Sequence, residues 1–121
     1  MMDDDVRVLV VDDDLDAAAM LAELLTLDGY AVRAAHSVAE ATTVAPEFRP
    51  TAALLDLGLP DGDGFFLATE LRRHFGSDLV VVAVTGQTDE ETRKAADRAG
   101  FDFLLTKPVD LMVFRQIFSR N

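Results

Sequence analysis

The chain has no cysteine and no tryptophan, only two lysines and two histidines, and half as many basic residues as acidic ones in 121 positions. Each shortage excludes something. Without cysteine there is no disulfide framework, thiolate nucleophile or cysteine-based zinc site. Eleven bases against twenty-two acids give a formal charge of −11, the wrong sign for a surface that neutralises nucleic-acid phosphates or anionic lipid. No apolar run reaches the roughly 18 residues that span a bilayer, and Met-Met-Asp-Asp-Asp is not a secretory leader. The expectation is therefore a soluble cytoplasmic domain. What is present is a chain 50% hydrophobic, too apolar for an acidic disordered segment and of the length of one domain. We expect residues 1–121 to form it, with 1–5 a frayed acidic terminus.

The acids are unevenly placed. Seven lie in residues 1–16, with Arg7 as the single base. Asp12, Asp13 and Asp14 directly follow the apolar run Val8-Leu9-Val10-Val11. Further apolar runs recur at Ala31–Ala35, Ala52–Leu55, Leu79–Val84 and Phe103–Leu105. Short runs with little polar alternation read as strands covered on both faces. Helical stripes separate them: Leu15, Ala18, Ala19, Ala22 and Leu25; Val38, Ala41, Ala45 and Phe48; Leu67, Leu71 and Phe75; Thr92, Ala95, Ala96 and Ala99; Leu111, Phe114 and Phe118. Ser37 to Glu40 and Thr88 to Glu91 fit capping boxes, and Gly29, Gly76 and Gly100 stand where left-handed helix ends want glycine. Five β-α repeats with right-handed crossovers predict an α/β fold, a doubly wound five-stranded parallel sheet with helices on both faces.

Ligands of such sheets bind beyond the carboxyl ends of the strands. The first strand ends in Asp12-Asp13-Asp14, the third in Asp56, the fourth in Thr85-Gly86 and the fifth in Thr106-Lys107-Pro108. Clustered carboxylates repel one another unless a cation joins them. Oxygen ligands with room for water suit Mg²⁺, and a hydroxyl and an ammonium beside it complete a cradle for phosphoryl oxygens. A carboxylate there can accept a phosphoryl group.

On these residues the chain resembles a receiver domain of a two-component response regulator, of the chemotaxis-regulator type. The matching segments are Val10-Val11-Asp12-Asp13, Leu55-Asp56 through Gly64, Ala83-Val84-Thr85-Gly86 and Thr106-Lys107-Pro108, and they span nearly the whole chain. The resemblance implies a flavodoxin-like strand order 2-1-3-4-5 and a phosphorylation-activated switch. Asp56 would be the phosphoacceptor, assisted by Thr85 and Lys107. Asp12, Asp13, Asp56 and the backbone carbonyl of Gly58 would hold Mg²⁺, Asp12 mainly through water. The Lys107-Pro108 bond would be cis. The donor would be a histidine kinase or histidine phosphotransfer protein. Phosphorylation would change the surface around the fourth helix, fifth strand and fifth helix, read by a protein target or a linked output domain. The chain would be a monomer or weak dimer, bind neither nucleic acid nor membrane directly, and turn over no separate substrate. The alternative is a pseudo-receiver serving only protein–protein contact.

The sequence departs from the family three positions before Lys107. Where an aromatic ring usually stands there is Leu104, and Phe103, one residue earlier, faces the other way. Gly58 and Gln87, at positions that tune hydrolysis in the family, imply moderate to fast self-dephosphorylation. Asp61-Gly62-Asp63-Gly64 is not a calcium loop, because Glu70 falls two residues short of the closing ligand. His36 and His74 are expected at the surface. Phe65 and Phe66 cannot both point inward, and part of the last helix, around Met112, is a candidate exposed patch.

Overall fold

A computed structural model describes residues 6–59, 64–86 and 89–118. Strands β1 (Arg7–Val11), β2 (Ala31–Ala35), β3 (Ala52–Asp56), β4 (Val80–Thr85) and β5 (Phe103–Thr106) alternate with helices α1 (Leu15–Leu27), α2 (Val38–Phe48), α3 (Gly64–Phe75), α4 (Glu90–Arg98) and α5 (Leu111–Phe118). All strand pairs are parallel, and the sheet order is β2-β1-β3-β4-β5. The doubly wound architecture and the strand order both agree with the sequence reading.

The two-residue period of the strands divides the core. Leu9, Val11, Ala53, Leu55, Val81 and Ala83 face α2, α3 and α4, where they meet Ala41, Leu67 and Ala96. Their neighbours Val8, Val10, Ala52, Leu54, Val82 and Val84 face α1 and α5, where they meet Ala18, Leu25 and Phe114. Each fully buried branched side chain contributes about 1.5–3 kcal/mol. The central strands β1, β3 and β4 are apolar for that reason. The edge strand β2 alternates between exposed and half-buried until Ala35.

Helix ends follow local chemistry. Asp14 caps α1, its Oδ1 accepting from the Ala17 amide at 3.1 Å. Ser37 caps α2 through the Glu40 amide at 3.0 Å. Gly29, Gly76 and Gly100 take φ of 101°, 75° and 93°, as anticipated. Two expectations are corrected. The α4 cap is Asp89, which accepts from the Thr92 amide at 2.8 Å. Thr88, the anticipated cap, lies outside the described residues. In α1, Leu15 is 61% exposed and Ala19 is exposed. The buried stripe there is Ala18 and Leu25, with Leu21 packed beside them.

Among the described residues, no helix is long and apolar enough to cross a membrane. Asp3 to Asp5, Pro60 to Asp63 and Gln87 also lie outside the described residues.

Candidate phosphoacceptor site

β1 and β3 are neighbours, paired Val11 with Leu55, so the acids that follow them come to one edge. Asp12 ends the buried run of β1, and its amide donates to the Ala35 carbonyl at 3.0 Å. Asp56 is the last residue of β3. Both are only 9% exposed, while Asp13 is exposed. Carboxylate oxygens of Asp12, Asp13 and Asp56 lie within 4.8 Å of one another.

The remaining residues arrive from the other side of β3. Asp56 pairs with Val84, which brings Thr85, half-buried at the end of β4, to the same edge. The Thr85 carbonyl accepts from the Lys107 amide at 2.9 Å. The Lys107 Nζ reaches back to Asp56 Oδ2 at 3.2 Å and to Asp12 Oδ2 at 3.5 Å. The second contact was not anticipated from the sequence. The Lys107-Pro108 bond is cis. Gly58 contributes its amide, which donates to Asp56 Oδ1 at 3.1 Å. Asp14, third of the acidic run, belongs to α1 as its cap.

The electrostatics follow from burial and crowding. Desolvation is the largest influence on the Asp12 carboxyl and raises its pKa. The amide of Asp14 and the charge of Lys107 oppose that, and Asp56 adds to it. Burial alone would lower Lys107, but the hydrogen bond and charge of Asp56, with Asp12 behind it, outweigh it and hold the ammonium above its ordinary range. Three carboxylates against one ammonium leave an edge with negative charge uncompensated, all of it on hard oxygen donors. That donor set fits a divalent cation such as Mg²⁺.

Beside the site a cavity of about 410 Å³ opens between α1 and the segment after β5. Asp12 and Lys107 stand in its wall with Met20, Leu24, Pro108 and Val109. Neither histidine belongs to the cluster of Asp12, Asp13 and Asp56. His36 pairs with Glu40 at 3.2 Å, and His74 is exposed.

The position three before Lys107 agrees with the alternation argument. Leu104 packs into the core beneath α2, α3 and α4, whereas Phe103 is 43% exposed. Phe65 packs edge-on against Phe101, with ring centres 6.1 Å apart, and Phe66 is exposed, as is Met112.

The family model of the response regulator receiver domain matches residues 8–119. The chain belongs to that family. It is 41% identical over 102 residues to the transcriptional regulatory protein PrrA of Mycobacterium tuberculosis, covering 84% of this chain and 43% of PrrA. It thus spans under half the length of that relative. Among solved structures it is similar to the non-phosphorylated HemR receiver domain from Leptospira biflexa, at 30% identity and TM-score 0.83, covering 96% of both chains. A response regulator from Burkholderia pseudomallei, solved with a phosphorylated aspartic acid, a calcium ion and citrate, is 31% identical. Its TM-score is 0.86, with 97% of this chain and 68% of that one covered. Receiver domains are the signalling modules of two-component response regulators, and this chain is one of them.

Proposed function

We propose that this receiver is a phosphorylation-activated switch in which Asp56 takes a phosphoryl group from a phosphohistidine on a histidine kinase or phosphotransfer protein. The observation that carries the proposal is the ammonium of Lys107 standing 3.2 Å from the Asp56 carboxylate at an edge where three carboxylates meet. An Asp56 oxygen forms the new P–O bond as the P–N bond breaks, and the imidazole nitrogen leaves with the electron pair. Asp12, Asp13 and Asp56, with the Gly58 carbonyl, would hold Mg²⁺, which when bound neutralises the carboxylates and the equatorial phosphoryl oxygens. Lys107 would follow the transferred charge, leaving Asp56 and Asp12 to pair with the phosphoryl group. Thr85, one residue beyond Val84, the partner of Asp56 on β4, would donate its hydroxyl to the same group. Converting a carboxylate to an acyl phosphate adds about one negative charge, which biases α4, β5 and α5 toward a second arrangement. Gly58 is exposed, so water reaches the acyl phosphate and the signal resets itself. The domain acts as a switch, without turnover of a separate substrate, in the cytoplasm as a monomer or weak dimer. It reports to a protein target or a linked output domain.

Incubation with acetyl phosphate and Mg²⁺ tests this. Wild type gains the mass of one phosphoryl group, and Asp56→Asn gains none. If wild type takes up no phosphoryl group, the domain acts only through protein–protein contact and the proposal fails.

A further inference from the structure

Gly64 opens α3, where glycine is a poor helix former, and its backbone is not among the left-handed glycines. Conformational freedom therefore does not account for it, but space does. A Cβ at Gly64 would lie 2.8 Å from the carbonyl oxygen of Asp56, 3.0 Å from Leu57 Cα and 3.1 Å from Leu57 Cδ2. Non-bonded carbon contacts are comfortable near 3.5–4.0 Å. Two of the three atoms are backbone, so no side chain can swing away to relieve the clash. At Gly58 and Gly86, by contrast, an added Cβ meets nothing within 4 Å.

The obstructed atom belongs to the phosphoacceptor residue. Asp56 cannot yield freely, because it pairs with Val84 and the next amide, that of Leu57, donates to the Val84 carbonyl at 3.3 Å. The Leu57 carbonyl in turn accepts from the Gly64 amide at 3.4 Å. The first residue of α3 thus rests directly on the end of β3. We propose that Gly64 is a positioning residue of the site: its missing side chain lets α3 seat against Asp56 and fixes the height of that carboxylate relative to Asp12, Asp13 and Lys107. The inference rests on the reading of Asp56 as a phosphoacceptor beside a divalent cation. Mg²⁺ demands near-ideal octahedral geometry, so a shift of a few tenths of an ångström at one ligand is felt in affinity.

The test compares wild type, Gly64→Ala and Leu71→Ala. Leu71 is buried on the same helix, and its truncation loosens α3 without touching Asp56. Mg²⁺ affinity is measured by titration calorimetry, uptake of phosphoryl from acetyl phosphate by mass, and stability by thermal unfolding. Gly64→Ala is expected to lose about tenfold or more in both Mg²⁺ affinity and uptake rate. Leu71→Ala, although less stable, should keep wild-type affinity within about twofold. Wild-type affinity in Gly64→Ala overturns the proposal, and so does an equal loss in Leu71→Ala, which would assign the effect to helix stability. Should Gly64→Ala not fold, Leu57→Gly gives slack to the chain that Gly64 abuts. It must weaken Mg²⁺ binding, and unchanged affinity overturns the proposal. A wild type that neither binds Mg²⁺ nor takes up phosphoryl overturns the phosphoacceptor reading together with this one. Normal uptake by both wild type and Gly64→Ala overturns this one alone.

Discussion

The two edges of the sheet treat charge in opposite ways. At the amino ends of the strands, charged groups are spent on backbone. Arg72 donates to the carbonyls of Gly76, Leu79 and Gly100 and to Asp102, and Asp102 also accepts from the Val81 amide at 2.8 Å. Arg7 donates to the Arg49 carbonyl at 2.7 Å, and Arg115 grips both oxygens of Asp28. At the carboxyl ends, Asp12 and Asp56 share Lys107, and the carboxylate of Asp13 lies in the same cluster. One edge has satisfied its charges and is structure. The other gathers three carboxylates beside one ammonium, and the negative charge left uncompensated there is what a divalent cation can answer.

Removing Arg72 should break the satisfied edge with the largest effect on stability. Arg72→Ala leaves three carbonyls and Asp102 without this donor, so unfolding should become easier by about 2–4 kcal/mol. Mg²⁺ affinity, set at the far edge, should stay near that of wild type. Denaturant unfolding alongside a Mg²⁺ titration checks both halves, and a parallel loss of affinity would erase the distinction between the edges.

The unsatisfied edge predicts the opposite sign. Burial raises the Asp12 pKa in the folded chain, so the folded state binds that proton more tightly than the unfolded one. The resulting cost is absent below the ordinary carboxylate value of 3.8 and grows as pH rises through the raised value. In chelator at neutral pH, Asp12→Asn should therefore be more stable than wild type, with the gain fading toward acid. Added Mg²⁺ should stabilise wild type and not the variant. Thermal unfolding at several pH values, with and without Mg²⁺, reads all three.

The difference between the edges also explains what the sequence could reveal. Asp12 and Asp56 were legible because each closes an apolar run, and a charge at the end of a buried strand has few reasons to be there. Lys107 was legible as one of only two lysines, set beside a proline. Leu104 and Phe103 were legible because strand alternation has a period of two. The clamps of the other edge were not. Arg72 meets Asp102 thirty residues on, and Arg115 meets Asp28 across eighty-seven, and neither pairing leaves a local pattern. The stripe of α1 misled because Ala17, Ala18 and Ala19 are apolar in succession and carry no phase. The α4 cap is Asp89 rather than Thr88; both residues can cap a helix, and Asp does so somewhat better than Thr. Gly64 stood in the family motif, but its reason is a contact with Asp56 that only the packed chain contains.

The Asp28–Arg115 clamp supplies the finest test, because it belongs to the satisfied edge yet is exposed to solvent. The hydrogen bond from Arg115 holds the Asp28 carboxyl below its ordinary range. A carboxyl lowered by folding stabilises the native state above its unfolded value of 3.8, and that contribution is lost as pH falls through the lowered folded value. Asp28→Asn should thus unfold at a slightly lower temperature than wild type at neutral pH, and the two curves should converge in acid. Exposed pairs are screened by salt, so the gap should also narrow at high ionic strength. A difference that persisted in acid would overturn the assignment of the effect to the charge of the Asp28 carboxylate.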